Sequence, residues 1–207
     1  MSTAKPRPIL TLLFNPFRRV AGWPALGLGL AAILLTGWIG SLSGTHFDGV
    51  LDMHTGPASV PLWFFLAEGL IDWLALALVL LAAGRLASRS AFRAVDLLGT
   101  QALARWPMLL AALACLPPGY RRFTAYLVEQ VQKGKLDPGL LHPDAAVFFS
   151  TLLVAMLATV WMVALMYRSF SLCCNVRGGR AIGAFVAGLL VAEVLSKVVI
   201  VLWMKRL

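Results

Sequence analysis

Charge is what this chain has least of: Asp and Glu together number 9 among 207 residues, and all charged residues make up 13%. Ordinary soluble domains carry roughly 25%. With 60% of its residues hydrophobic, the chain has too few polar residues to coat a core of its own size, which excludes a soluble globular fold. Cysteine is sparse as well. Cys115 falls within an apolar run and Cys173 and Cys174 are neighbours, so no disulfide framework follows and no Cys/His set completes a metal site. Also missing are a glycine-rich phosphate loop followed by Lys and Ser or Thr, and a Ser, His and Asp set around a nucleophile elbow. No group stands out as a catalytic carrier, and the expectation is a non-enzymatic protein without a cofactor.

Long apolar runs are present instead, at residues 23–42, 61–84, 97–116, 145–166 and 181–204. Each has about the twenty residues that a helix rising 1.5 Å per residue needs to cross a hydrocarbon layer of about 30 Å. The third run is the weakest, because Arg105 interrupts it and Pro107 lies inside it, before Pro117 and Pro118 close it. The first run is too long for a signal-peptide core and its exit is a poor cleavage site, so it reads as a retained signal-anchor helix. The fold class expected is an all-α membrane protein, a bundle of about five transmembrane helices covering 23–207, behind a basic segment at 1–22.

The net charge of +9 does not point to nucleic acid, because Lys and Arg sit in short clusters between apolar runs. Lys5, Arg7, Arg18, Arg19, Arg85, Arg89, Arg93, Arg168, Arg177 and Arg180 flank one side; Arg121, Arg122, Lys133, Lys135, Lys205 and Arg206 flank the other. The excess of positive charge predicts a cytoplasmic N-terminus and an outer C-terminus. The first outer connection has no Lys or Arg at all.

A charged side chain deep in a membrane costs about 2.5–3.5 kcal/mol on insertion scales, so each one requires an account. Glu68 and Asp72 lie four apart on the second run, Arg105 lies in the third, and Glu193 and Lys197 lie four apart on the fifth. Residues four apart share a helix face. The expected network joins Arg105 to an acid of the second helix and pairs Glu193 with Lys197. It would fix helix register, form a proton or ion path, or in part snorkel to an interface.

The first outer connection carries His46, Asp48, Asp52 and His54 within nine residues. Imidazole and carboxylate suit a divalent ion such as zinc, yet the spacing fits no standard motif. A folded cap over the bundle is the competing reading. In the third connection Tyr120, Phe123, Leu127 and Val131 recur at helical spacing, which predicts a short amphipathic helix. It would lie along the membrane or pack over the bundle mouth. Arg177 and Arg180 around Gly178 and Gly179 could hold an anionic lipid headgroup, or could serve as a turn with topogenic charge. Gly183 with Ala187, and Ala184 with Gly188, permit close helix approach within one bundle or in a homo-oligomer.

Several short stretches together resemble the Yip-type family of multi-span membrane proteins, named for interaction with Ypt/Rab GTPases in eukaryotes. They are Asn15-Pro16-Phe17, Asp48-Gly49-Val50-Leu51, Asp96-Leu97-Leu98-Gly99 followed by Arg105-Trp106-Pro107, and the stretch from Asn175 to Ala181. The resemblance implies five spans with the N-terminus inside, and suits the compact bacterial type in an inner membrane. The long N-terminal region of eukaryotic members is missing, so GTPase binding is not carried over. The function expected is organisation or scaffolding of a membrane or its proteins. The alternative is a small oligomeric ion, proton or solute transporter using Asp72, Arg105 and Glu193.

Overall fold

A computed structural model describes residues 13–56, 60–135, 139 and 141–204. The basic residues Lys5, Arg7, Lys205 and Arg206, and Pro138 after the amphipathic stretch, lie outside the described residues. A single 3-10 turn, Pro16–Arg18, precedes the helices α1 (Gly22–Ser43), α2 (Leu62–Ala87), α3 (Ala94–Leu103), α4 (Met108–Ala114), α5 (Pro118–Gln132), α6 (Ala145–Cys173) and α7 (Gly178–Met204). Between α1 and α2 a miniature antiparallel pair, β1 (Thr45–His46) and β2 (His54–Thr55), matches Thr45 with Thr55 and His46 with His54. Five helical units are long and apolar enough to cross a bilayer, with α3 and α4 together forming the third.

The protein is thus an all-helical bundle with the character of an integral membrane protein. The spans begin and end near their expected limits, with three differences. The fourth runs on to Cys173 and the fifth starts at Gly178, so Arg168 and Arg180 ride on helices. The third is not one helix. Pro107 has no N–H to give, and around it the ladder tightens: Arg105 N–H donates to the Ala102 carbonyl (3.2 Å), Trp106 to Leu103 (3.2 Å) and Met108 to Arg105 (3.0 Å). Such three-residue spacing is a 3-10 turn set between two α segments.

The broken span is the centre of the bundle: 61% of its most apolar window is buried, against 22% for α6. Helix α1 packs mainly on α3 and α2, α2 mainly on α7, and α6 on α4 and α3. Gly29 makes the α1–α3 approach close, since a Cβ there would come within 2.3 Å of the Leu103 amide. Leu76, Leu80, Leu97, Met162, Leu165 and Phe170 fill the core, each with at most 1% exposure.

Long-range contacts sort the connections into two ends. At one, the Thr55 hydroxyl donates to the Tyr120 hydroxyl (3.4 Å), and Trp203 near the end of α7 stacks on Phe64 at the start of α2. At the other, Arg168 donates to the Phe14 carbonyl (2.5 Å) and Asn175 to the Ser90 hydroxyl (3.5 Å). Helix α5 packs over the bundle mouth with its first half only. Its first half is docked, with Tyr120 and Phe123 buried and packed on Phe148, and Arg122 grips Asp144 with two hydrogen bonds of 2.8 and 2.6 Å. Its second half leaves Val128 and Val131 exposed.

Candidate functional site

Two groups of residues that are far apart in sequence form one site. The β1–β2 connection folds over the mouth of the bundle, and its polar residues meet the charged residues of α2 and α7. His46 Nδ1 lies 3.0 Å from both carboxylate oxygens of Glu68. The pair is 4% and 3% exposed at the side chain, and His46 also stacks on Phe65 with ring centroids 4.2 Å apart. With Nδ1–H donating, Nε2 is left without a hydrogen-bond partner among the described residues.

On the other side of the cap, Glu193 Oε2 accepts from the Leu51 backbone N–H (3.0 Å). Lys197 Nζ reaches Asp52 at 2.5 Å and Glu193 at 3.6 Å. Gly49 is the residue that allows this docking: a Cβ there would stand 2.6 Å from Glu193 Oε1 and 3.0 Å from Lys197 Cε. The expected Glu193–Lys197 pair is present but is half of a larger arrangement, because both residues also hold the loop.

Within the loop, Asp48 accepts from His54 Nδ1 at 2.9 Å. The hydrogen bond to Asp48 holds the half-exposed His54 imidazole above its ordinary 6.5, outweighing the opposing effect of burial, and the charges of Asp48, Asp52 and Glu68 add to it. Burial works to raise the Asp48 carboxyl, but the hydrogen bond and charge of His54, with Lys197 beyond, bring it below 3.8.

Deeper, Asp72 stands one turn below Glu68 on α2 with no exposure, and Arg105 Nη2 lies 3.6 Å from its Oδ2. The tightened turn before Pro107 is what delivers Arg105 to this point. At 3.6 Å the contact is an ion pair and not a hydrogen bond, and both Asp72 oxygens and Arg105 Nη1 lack hydrogen-bond partners among the described residues. Ser196 lies beside Asp72, but its hydroxyl donates to the Glu193 carbonyl (3.2 Å). A cavity of about 20 Å³ adjoins Arg105, between Thr36, Phe47, Phe65 and Met108. That is room for about one water molecule.

The polar groups continue past Arg105 toward the opposite end, through residues that sequence reasoning missed. Gln101 Nε2 donates to the Met166 carbonyl and the Ser169 hydroxyl, both at 3.0 Å. Ser169 donates to Thr100 (2.7 Å), and Thr100 to the Asp96 carbonyl (2.6 Å). All three side chains are fully buried, and Gln101 Oε1 has no hydrogen-bond partner among the described residues. The spacing of Gln101 to Arg105, one helical turn, is the sequence feature that could have exposed this seam.

The four loop residues considered as metal ligands are distributed over separate partnerships: His46 with Glu68, Asp48 with His54, and Asp52 with Lys197. Among the described residues no group of three or more His, Cys, Asp or Glu is arranged to hold a metal ion. The His46 and His54 rings stack at 5.3 Å. Arg177 and Arg180 are both exposed at the turn into α7, far from the cap. Comparison of the chain with family models, curated proteins and solved structures finds no match.

Proposed function

We propose that this protein is a non-catalytic membrane organiser: a rigid bundle that shapes a bilayer or scaffolds partner membrane proteins. One observation carries the reading. The charged residues at the mouth and core are committed to partners on other elements: His46 to Glu68, the Leu51 amide to Glu193, Asp52 to Lys197, and Asp72 to Arg105. Charges spent on clamping a cap and fixing helix register suit a structural part better than a turnover site. The half-exposed α5, with its free valines beside the cap, offers a surface to a membrane or neighbour.

In this reading the N-terminus is cytoplasmic and the C-terminus outside, on the strength of the Lys and Arg distribution. The host membrane is a bacterial inner membrane, and the chain is a compact relative of the Yip-type proteins. Cross-linking in native membranes followed by gentle solubilisation should recover a defined oligomer or a specific membrane-protein partner. Recovery of a lone monomer under all cross-linking conditions would overturn the proposal.

A second reading, an oligomeric proton or ion carrier, draws on the orphaned polar atoms of Asp72, Arg105 and Gln101. Its measurement is flux in liposomes. Flux that is lost in both Asp72→Asn and Glu193→Gln supports it; no flux, or flux indifferent to both, removes it.

A further inference from the structure

At the end of the bundle away from the cap, α2 and α7 meet through small side chains. They touch at Leu80 and Gly188, where a Cβ on the glycine would stand 2.8 Å from the leucine side chain. Around that contact runs an apolar groove of about 440 Å³, walled by Val79, Ala83 and Ala87 on one side and by Ala184, Ala187, Gly188 and Val191 on the other. The helical rise of 1.5 Å per residue makes the groove roughly 12 Å long on α2 and roughly 16 Å on α7. Half of a hydrocarbon layer of about 30 Å is about 15 Å. The groove is therefore about as long as one leaflet is deep.

Its composition changes along that length. The inner part is Val, Ala and Gly; the outer end is marked by Arg180, which lines the groove itself. Arg177 is exposed three residues earlier, and the helix between them opens with Gly178 and Gly179, where added Cβ atoms would meet nothing within 4 Å. Neither arginine forms a salt bridge among the described residues, whereas Arg93, Arg105 and Arg122 are each paired with an Asp. An apolar channel of about that length with unpaired positive charge at its outer end matches one amphiphile in shape and charge.

We propose that the α2–α7 groove binds one anionic phospholipid, its acyl chain between the helices and its phosphate on Arg180 and Arg177. Arg180 supplies a planar fork of donors suited to phosphate oxygens, and the small side chains let the acyl chain lie close to both backbones. The proposal rests on the membrane-organising reading only in so far as it supplies that reading with a lipid.

The test is native mass spectrometry of the full chain, titrated with phosphatidylglycerol and with phosphatidylcholine of identical acyl chains. One phosphatidylglycerol should be retained in preference to phosphatidylcholine. Arg180→Gln should reduce that preference about fivefold, the effect of one basic residue near an anionic surface. Ala187→Leu, at an exposed position in the groove wall, should weaken retention of both lipids and leave their ratio unchanged. Equal retention of the two lipids, or a preference indifferent to Arg180→Gln, would overturn the proposal. So would a dimer that Ala187→Leu dissociates, because the groove's occupant would then be a second copy. Loss of the phosphatidylglycerol preference with cross-linked partners retained would defeat the lipid site alone; the reverse outcome would defeat the organiser reading alone.

Discussion

The two halves of the polar seam are built from different chemistry. On the cap side the partners are ionisable: His46 with Glu68, Asp52 with Lys197, Asp48 with His54 and Asp72 with Arg105. On the far side they are neutral: Gln101, Ser169 and Thr100 bonded to one another and to backbone carbonyls. A neutral hydrogen bond can be buried in a helical bundle at small net cost or gain. A buried charge left alone is expensive, so each charged member makes the position of its partner nearly obligatory. The cap half is therefore the half that specifies an arrangement, while the neutral half mainly keeps buried polar groups satisfied.

Removing single members should break this contrast most sharply at its deepest point. Asp72→Ala strands Arg105, which is 6% exposed, and should destabilise the bundle by about 3–5 kcal/mol in denaturant titrations of the protein in mixed micelles. Replacing both, as Asp72→Leu with Arg105→Met, should restore most of the loss, since no uncompensated charge remains. A double variant as unstable as the single one would mean that the pair is not what holds α2 to the broken span. Next in size is Glu68→Ala, which takes away the acceptor of His46 Nδ1 and should cost about 1.5–3 kcal/mol, the worth of a hydrogen bond to a charged group. Its loss should also raise amide exchange in the β1–β2 pair. Gln101→Leu comes third, at about 0.6 kcal/mol, the average for side-chain hydrogen bonds between membrane helices. A loss for Gln101→Leu as large as that for Glu68→Ala would erase the distinction between the halves.

How far the sequence carried depended on how local each rule was. Apolar runs announce spans because the bilayer imposes one length on all of them, and the five candidates emerge within a few residues of their expected limits. The extra turns of α6 and α7 were not visible, because Arg168 and Arg180 read as connection residues when their helices in fact run on past the apolar stretch. Pro107 signalled weakness in the third span, yet only the backbone reveals that the tightened turn carries Arg105 to Asp72. The Asp72–Arg105 and Glu193–Lys197 pairings were legible, since a charge in an apolar run must find a partner and few exist. The cap was the preferred reading of the first outer connection over a metal site, but its partners were not legible. No local rule links Leu51 to Glu193 or Asp52 to Lys197 across more than 140 residues. Thr100, Gln101 and Ser169 were missed because uncharged polar residues scarcely disturb the apolar character of a span.

The smallest expected effect is a pH dependence confined to the cap. Because the folded state raises the His54 imidazole above 6.5, its contribution is complete below that value and disappears as pH rises through the folded value. Because the Asp48 carboxyl is lowered below 3.8, its contribution is complete above that value and disappears as pH falls through the folded one. The Asp48–His54 contact should therefore hold the loop best between about pH 4 and 6.5 and loosen on the alkaline side. His54 is half-exposed, and water screening holds such a pair to about 0.2–0.5 kcal/mol. The change in protection of the amides at 49–56 should accordingly stay near or below about twofold, after correction for the intrinsic pH dependence of exchange. His54→Gln should flatten the profile, and the amides around Thr100 and Gln101 should show no such step. A step of equal size at Gln101 would mean that the two halves of the seam open together, and the distinction between a charged cap and a neutral base would then describe composition without describing behaviour.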